Sequence, residues 1–257
     1  MQLAGKRIII TGGARGIGET LVRKLVAEGA HVASMDVRDD LGRTVAASAN
    51  AGGNGKARYF HCDVSSRSDV ESAFAAAVED LGGLDGMVNV AGIEQVVPAD
   101  KITDEQWERM LAVNVTGTFL TNQVAFRHLK DKGGRILNFG SDAGLGNCPD
   151  AIHYSASKGA VMSMTRSLAA AWGRYNITVN AMVPAIKTPM FAEHLACYSE
   201  EEKTAFHAAM KHHIPIDGEL GDPERDFAPV VVFMLTDGSR FMSGQLISVN
   251  GGSNGVR

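Results

Sequence analysis

The chain has 257 residues, with 25 Lys+Arg against 29 Asp+Glu, a formal net charge of −4, 45% hydrophobic and 21% charged residues. This is the composition of a globular chain long enough to bury a sizeable core, and about 150 residues per domain leaves room for one domain or two. No run of five or more Lys/Arg occurs, which speaks against nucleic acid or an anionic membrane as main partner, and the cysteines Cys62, Cys148 and Cys197 form no CxxC, so neither a disulfide framework nor a cysteine zinc site is expected.

Short β-branched runs alternate with longer helical patterns. Strands are predicted at 7–11, 31–35, 57–62, 86–89, 135–139, 178–183 and 245–249. Helices are predicted at 16–28, 40–51, 68–81, 104–130 and 152–174, where apolar residues recur at three and four, as in Leu21, Val22, Leu25 and Val26. Strand–helix alternation implies βαβ crossovers, hence an α/β fold with a parallel sheet covered by helices on both faces. A strand buried on both faces should be apolar throughout, and Ile8-Ile9-Ile10 is. From 185 to 226 the rhythm breaks, with Pro189, Pro215, Pro223 and several glycines. That stretch is expected to be a mobile insertion over the sheet edge, a lid within a single domain spanning 1–257. Between Lys6-Arg7 and Thr11 stand only three apolar residues, too few for a signal segment. No apolar run nears the ~18–20 residues of a membrane helix. A cytoplasmic location is the expectation.

Thr11-Gly12-Gly13-Ala14-Arg15-Gly16-Ile17-Gly18 links the first strand to the first helix. Glycines permit a tight turn and close backbone approach, and the helix start directs free N–H groups and a positive dipole end at a ligand, which suits a pyrophosphate. A P-loop reading fails, because Glu19 stands where phosphate needs a lysine. Asp36 ends the second strand about 20 residues further on, where an acidic side chain accepts from an adenosine ribose. It would repel a 2′-phosphate by about 4 kcal/mol per charge pair at ~4 Å and effective dielectric ~20, which favours NAD over NADP. Arg15 and Arg38 lie close enough in sequence to soften that preference.

Taken in order, Thr11-Gly12-x-x-x-Gly16-x-Gly18, Asp36, Asp63-Val64, Asn89-Val90-Ala91-Gly92, Asn114, Ser141, Tyr154-x-x-x-Lys158, Pro184 and Ile186-x-Thr188 resemble the markers of the short-chain dehydrogenase/reductase family, over essentially the whole chain. The resemblance implies a Rossmann-type, doubly wound sheet of about seven strands and an alcohol dehydrogenase or ketone reductase using NAD(P). The residues themselves agree. Tyr154 and Lys158 stand four apart on a predicted helix and so share a face. An ammonium ~5 Å from a phenol at dielectric ~20 contributes roughly 3 kcal/mol, about two pKa units, which would make the phenolate accessible. Gly12, Asp36, Asn89 and Ser141 all fall at carboxyl ends of predicted strands, where doubly wound sheets bind ligands.

The resemblance implies Tyr154 as general acid/base, Ser141 as donor to the substrate oxygen, and Lys158 as modulator of Tyr154 and holder of the nicotinamide ribose. Asn114 would bind a water relaying protons to Lys158. Arg15, Gly16, Ile17 and Gly18 would face the phosphates and Asp36 the ribose. Asp63 and Val64 would contact adenine, Asn89 and Gly92 the adenosine ribose side, and Pro184, Ile186 and Thr188 the nicotinamide. Two residues depart from the family pattern. Val90 replaces an asparagine, and Ala185 replaces a glycine whose backbone, if φ were positive, would strain alanine by roughly 1–2 kcal/mol.

The substrate is expected between the Ser141 loop, Glu94, His153 and lid residues such as Met190, with Phe191, Leu195 and Met210 packing the lid. Glu94 could accept from a second substrate hydroxyl. His207, His212 and His213 lack ligand spacing, so no metal site is expected. Small residues Ser155, Ala156, Ser157, Gly159 and Ala160 permit close helix approach, against the sheet or a second subunit; the family usage implies a homotetramer or homodimer. The favoured activity is NAD-dependent interconversion of a secondary alcohol and a ketone. An NADPH-dependent 3-oxoacyl-carrier-protein reductase and a non-catalytic dinucleotide sensor are the competing expectations.

Overall fold

The structure, a computed structural model, describes residues 1–52, 54–196 and 198–253, without the side chains of Met190, Glu193 and His194. Met190's expected place beside the substrate and the tail 254–257 therefore lie outside the described residues. Seven strands form one parallel sheet in the order β3-β2-β1-β4-β5-β6-β7. They are β1 (Arg7–Thr11), β2 (His31–Asp36), β3 (Lys56–His61), β4 (Gly86–Asn89), β5 (Gly134–Phe139), β6 (Ile177–Pro184) and β7 (Leu246–Val249). The order reverses between β1 and β4, which opens a crevice at the carboxyl ends of those strands. The doubly wound α/β fold expected from the sequence is the fold observed, with strand ends within a residue of expectation.

Alternation along β1 explains how one strand serves two cores. Ile8 and Ile10 pack with α1 (Gly16–Ala27), α2 (Asp39–Asn50) and α9 (Ala228–Leu235). Ile9 faces α3 (Arg67–Leu81), α5 (Thr118–Leu129) and α6 (Ile152–Trp172) on the other side. All three isoleucines are at most 1% exposed, and burying each is worth about 1.5–3 kcal/mol. Helix α1 buries the predicted stripe of Leu21, Val22, Leu25 and Val26.

Two features depart from the sequence expectation. The helix predicted over 104–130 is interrupted: α4 (Asp104–Leu111) passes into a π-helical turn at Ala112–Gly117 before α5. In that turn the Thr118 hydroxyl donates to the Asn114 carbonyl at 2.8 Å. Helix α9 was not expected, because Ala228–Leu235 is an apolar run without helical periodicity that reads equally as a buried strand.

Helices α7 (Pro189–Ala196) and α8 (Glu200–His213) form an insertion between β6 and α9. A bridge between Ile186 and Gly221 closes its neck, with Lys187 N–H donating to Gly221 O at 2.8 Å and Gly221 N–H to Ala185 O at 3.1 Å. Among the described residues, positive φ outside glycine occurs at Asn176 and Asp217, so Ala185 carries none of the strain considered for it. Among the described residues, no helix is long and apolar enough to cross a membrane, and no group of three or more His, Cys, Asp or Glu could hold a metal ion.

Candidate active site

A cavity of about 500 Å³ runs along the carboxyl ends of the central strands, from the glycine turn to the insertion. Gly12 and Gly16 adopt φ of 71° and 57°. A Cβ on Gly12 would stand 2.7 Å from Ala91 N, and one on Gly18 would stand 1.9 Å from Gly12 O, so only glycine lets strand end and helix start meet this closely. Arg15 precedes α1 without capping its N–H groups by a side chain. Asp36 lies at the end of β2; its carboxylate accepts from Ala14 N–H at 3.1 Å and Arg38 N–H at 3.0 Å. It therefore also fastens the glycine turn, a role the sequence did not reveal.

Arg15, Gly16, Ile17, Gly18, Asp36, Asp63, Val64, Gly92, Pro184, Ile186 and Thr188 all line the cavity. Asp63 accepts from Ser65 N–H at 2.9 Å and from its hydroxyl at 2.6 Å, and the hydroxyl bond is the main cause holding its carboxyl below the usual range. Thr188 accepts from Phe191 N–H at 3.0 Å and so starts α7 beside the cavity. The glycine cradle, the uncapped helix start and the carboxylate after β2 fit a dinucleotide.

Asn89 corrects the expectation. It is buried and does not line the cavity; it donates to Asn138 Oδ1 at 2.9 Å, its register partner on β5. Asn122 donates to the same oxygen and Asn138 donates to Thr165. This amide cluster fills the face toward α5 and α6, so strand alternation turns Asn89 away from the ligand side.

Ser141, Tyr154 and Lys158 do converge, and all three line the cavity. Ser141, just beyond β5, accepts from Ala143 N–H at 3.2 Å, and its hydroxyl acts on the Tyr154 phenol. Lys158 stands one helical turn after Tyr154, its Nζ 5.6 Å from the tyrosine ring centroid and donating to Phe139 O at 3.0 Å. The turn after Ser141 approaches α6 closely: a Cβ on Gly144 would lie 2.8 Å from Gly159 N. The small residues of α6 are thus used within the chain at this point, and Ser155 donates to Ala143 O at 2.6 Å.

The expectation that Lys158 pulls the Tyr154 phenol down is not met in this state of the site. Burial is the largest influence and raises it, the Glu94 charge raises it further, and the Ser141 hydroxyl opposes them. Burial also lowers Lys158, from 10.5 to about 8, with Glu94 acting in the opposite direction. In a low-dielectric site the ammonium is itself disfavoured, which weakens the field expected to acidify the phenol.

Asn114 sits in the π turn, 1% exposed. Its side chain accepts from Ile93 N–H at 2.8 Å, and donates to Ile93 O at 2.9 Å and Ser157 Oγ at 3.0 Å. A Cβ on Gly92 would meet Asn114 Oδ1 at 3.3 Å and Lys158 Nζ at 3.5 Å, so the three groups crowd one point. His153 does not reach the substrate space. It is 0% exposed, and neither ring nitrogen has a hydrogen-bond partner among the described residues. One residue before Tyr154 on α6, it is turned about 100° from the tyrosine's direction.

Glu94 lines the cavity and is exposed. The far wall comes from the insertion: Phe191, Phe206, Met210 and Leu220, with the rings of Phe191 and Phe206 5.5 Å apart. Phe206, Leu220 and Arg109 line the cavity but were not anticipated. The spacing of Phe206 and Met210 by four was the available signal.

A glycine-cradled crevice in a doubly wound sheet, with Ser, Tyr and Lys at its rim, defines a dinucleotide-dependent oxidoreductase. The family model described as short chain dehydrogenase matches residues 6–197, and the chain belongs to that family as a single-domain member. A 2,5-dichloro-2,5-cyclohexadiene-1,4-diol dehydrogenase of Sphingobium indicum is 35% identical, covering 99% of both chains. A trans-4-hydroxycyclohexanecarboxylate dehydrogenase of Sinomonas cyclohexanicum is 32% identical over 98% of this chain and 93% of its own. Among solved structures, NAD+-bound xylitol dehydrogenase superposes with a TM-score of 0.90 at 29% identity, covering 98% of this chain and 100% of that one.

Proposed function

We propose that the protein is an NAD-dependent dehydrogenase that oxidises a secondary alcohol on a ring and reduces the matching ketone in reverse. The observation that carries this reading is the convergence of Ser141, Tyr154 and Lys158 in one cavity with the glycine turn. Ser141 donates to the substrate oxygen, and Tyr154 takes the hydroxyl proton during oxidation and returns it during reduction. The dinucleotide, when bound, supplies the two-electron acceptor for the hydride leaving the carbinol carbon. Lys158 holds the ribose hydroxyls and stabilises the tyrosinate. Asn114 braces the exit route, with a water on it passing the proton from Lys158 to solvent.

Asp36 accepts from the adenosine ribose and disfavours a 2′-phosphate. Gly12, Arg15, Gly16, Ile17 and Gly18 face the pyrophosphate, Asp63 and Val64 the adenine, Gly92 the adenosine ribose side, and Pro184, Ile186 and Thr188 the nicotinamide. A ring substrate is supported by the apolar rings and side chains of the insertion, which acts as a lid, and by the ring compounds in the names of two relatives. A homotetramer is supported by Trp107 and Phe119, 39% and 40% exposed on α4 and α5.

The test is NADH formation, followed by absorbance, with a panel of ring alcohols, then the Tyr154→Phe variant. Turnover should fall by roughly 10²–10⁴-fold while the NADH dissociation constant stays within about twofold. A variant that keeps a tenth or more of wild-type turnover would remove Tyr154 from the chemistry.

A further inference from the structure

We propose that a second cavity, at the amino ends of β1, β5 and β6, binds the phosphate group of a small molecule. It measures about 660 Å³, and its lining includes Lys6, Lys132, Arg135, Thr178, Arg240 and Phe241. The glycine turn and Ser141 stand at the carboxyl ends of strands of the same sheet, so this cavity opens at the other end of the sheet and does not depend on the dehydrogenase reading.

Strand register builds its floor. Arg135 is the second residue of β5 and Thr178 the second of β6, and the two are register partners, so their side chains leave the same face of the sheet side by side. On its other flank Arg135 pairs with Gly86 of β4, which adds no side chain. Alternation along β6 turns Thr178 away from the core that Ile177 and Val179 fill. Thr178 is 7% exposed, and its hydroxyl has no hydrogen-bond partner among the described residues.

The charges around this floor are unbalanced. The Arg135 side chain is 13% exposed; Nη1 donates to Gly134 O at 3.2 Å, and the enclosed Nε has no partner. Its carboxylate, Asp237, stands 3.6 Å from Nη2, is 79% exposed, and is shared with Lys6 at 3.3 Å. Burial holds the guanidinium below its ordinary value, with Asp237 acting against this and Arg240 with it. Asp85, the other carboxylate of the lining, is taken by a bidentate pair with Arg7 at 2.8 and 2.6 Å. Lys132 and Arg240 have no ion pair among the described residues. The cations Lys6, Lys132, Arg135 and Arg240 thus share Asp237 alone. A guanidinium so far out of water and so weakly paired is costly, and an anion that reaches it is stabilised in turn.

The donors suit phosphate. A guanidinium fork meets two phosphate oxygens at once, and further oxygens remain for an ammonium and for hydroxyl donors. Thr178 supplies one such hydroxyl. Ser243 supplies another: its Oγ already accepts from Val179 N–H at 3.2 Å, which leaves the O–H to give. Phe241, 94% exposed, adds an apolar ring to the lining for the organic part of the ligand.

The test is isothermal titration calorimetry at low salt, with phenyl phosphate and inorganic phosphate as probes, on protein saturated with NADH to block the glycine turn. Phenyl phosphate should bind once per chain with a Kd below about 1 mM. Arg240→Ala should weaken it by about tenfold or more and Lys132→Ala by at least threefold, both exposed cations whose truncation leaves the core untouched. Lys56→Ala, which loses the same charge four strands away on β3, should change it by less than twofold. Tighter binding of phenyl phosphate than of inorganic phosphate assigns the site to an organic phosphate, and equal binding to free phosphate; either order supports the pocket. A wild-type Kd above about 10 mM for both probes overturns the proposal, and so does weakening in Arg240→Ala and Lys132→Ala that does not exceed that in Lys56→Ala. The variants locate the site whether or not NADH binds, so failure of the dehydrogenase reading is seen separately, as absent NADH binding and turnover.

Discussion

Replacing Lys158 by methionine separates what the site costs the fold from what it does for chemistry. Lys158 is 6% exposed, and burial lowers it from 10.5 to about 8, against an opposing influence of Glu94. The folded chain therefore binds this proton less tightly than the unfolded chain. Below pH 8 the full penalty applies, about 3 kcal/mol at roughly 1.4 kcal/mol per unit of lowering. The penalty shrinks as pH rises from 8 toward 10.5, where the unfolded state gives up its proton as well. A methionine side chain would fill the space without a charge and carry no such dependence. Losing the 3.0 Å bond to Phe139 O costs about 1–3 kcal/mol, but that cost is the same at every pH. The readout is thus the change in the stability difference with pH. Urea unfolding of both proteins at fixed concentration should show wild type gaining about 2 kcal/mol on Lys158→Met between about pH 7 and pH 9.5. A difference that stays flat to within about 0.5 kcal/mol would mean that the folded and unfolded chains hold this proton equally tightly, and the argument from burial would fail.

Asp36→Ser removes the carboxylate proposed to face the ribose and should raise the NADP+/NAD+ ratio of kcat/KM by about tenfold or more, read by initial rates with each cofactor; an unmoved ratio would mean that Asp36 acts only as an anchor of backbone N–H groups. Light scattering of the purified protein should give about four times the 27.3 kDa chain mass, and a monomer would refute the tetramer.

Much of the fold was legible because hydrophobic pattern alone decides it. Ile8-Ile9-Ile10 can be buried on both faces only in a covered parallel sheet, and the stripe of α1 fixes which side of that helix meets it. Tyr154 and Lys158 were legible because helical spacing determines their common face. What the sequence hid has physical causes too. The π turn at Ala112–Gly117 adds one residue to a helical turn without changing composition, and the apolar run of α9 has no polar face to set a period. Asn89 and His153 were misplaced for the same reason: each neighbours the site in sequence, but strand alternation or helical rotation turns its side chain into the protein. The tyrosine's titration was misjudged because a Coulomb argument at fixed dielectric omits the desolvation of both partners.

The buried amide of Asn114 links these pieces. Its paired bonds to Ile93 N–H and O fix the residue between Gly92 and Glu94, both of which line the cavity. The same side chain donates to Ser157 Oγ, and Ser157 in turn donates to Tyr154 O at 2.7 Å. One side chain therefore ties the loop after β4 to the start of α6, the helix that carries Tyr154. Regular α-helix would carry the chain past this point without the extra residue, and π turns of this kind recur at functional sites. The energetic burden of the irregular turn is met by the surrounding core, where Val113 and Leu120 pack against the β1–β4 face. The proton route proposed above thus shares its structural support with the cavity wall from Gly92 to Glu94.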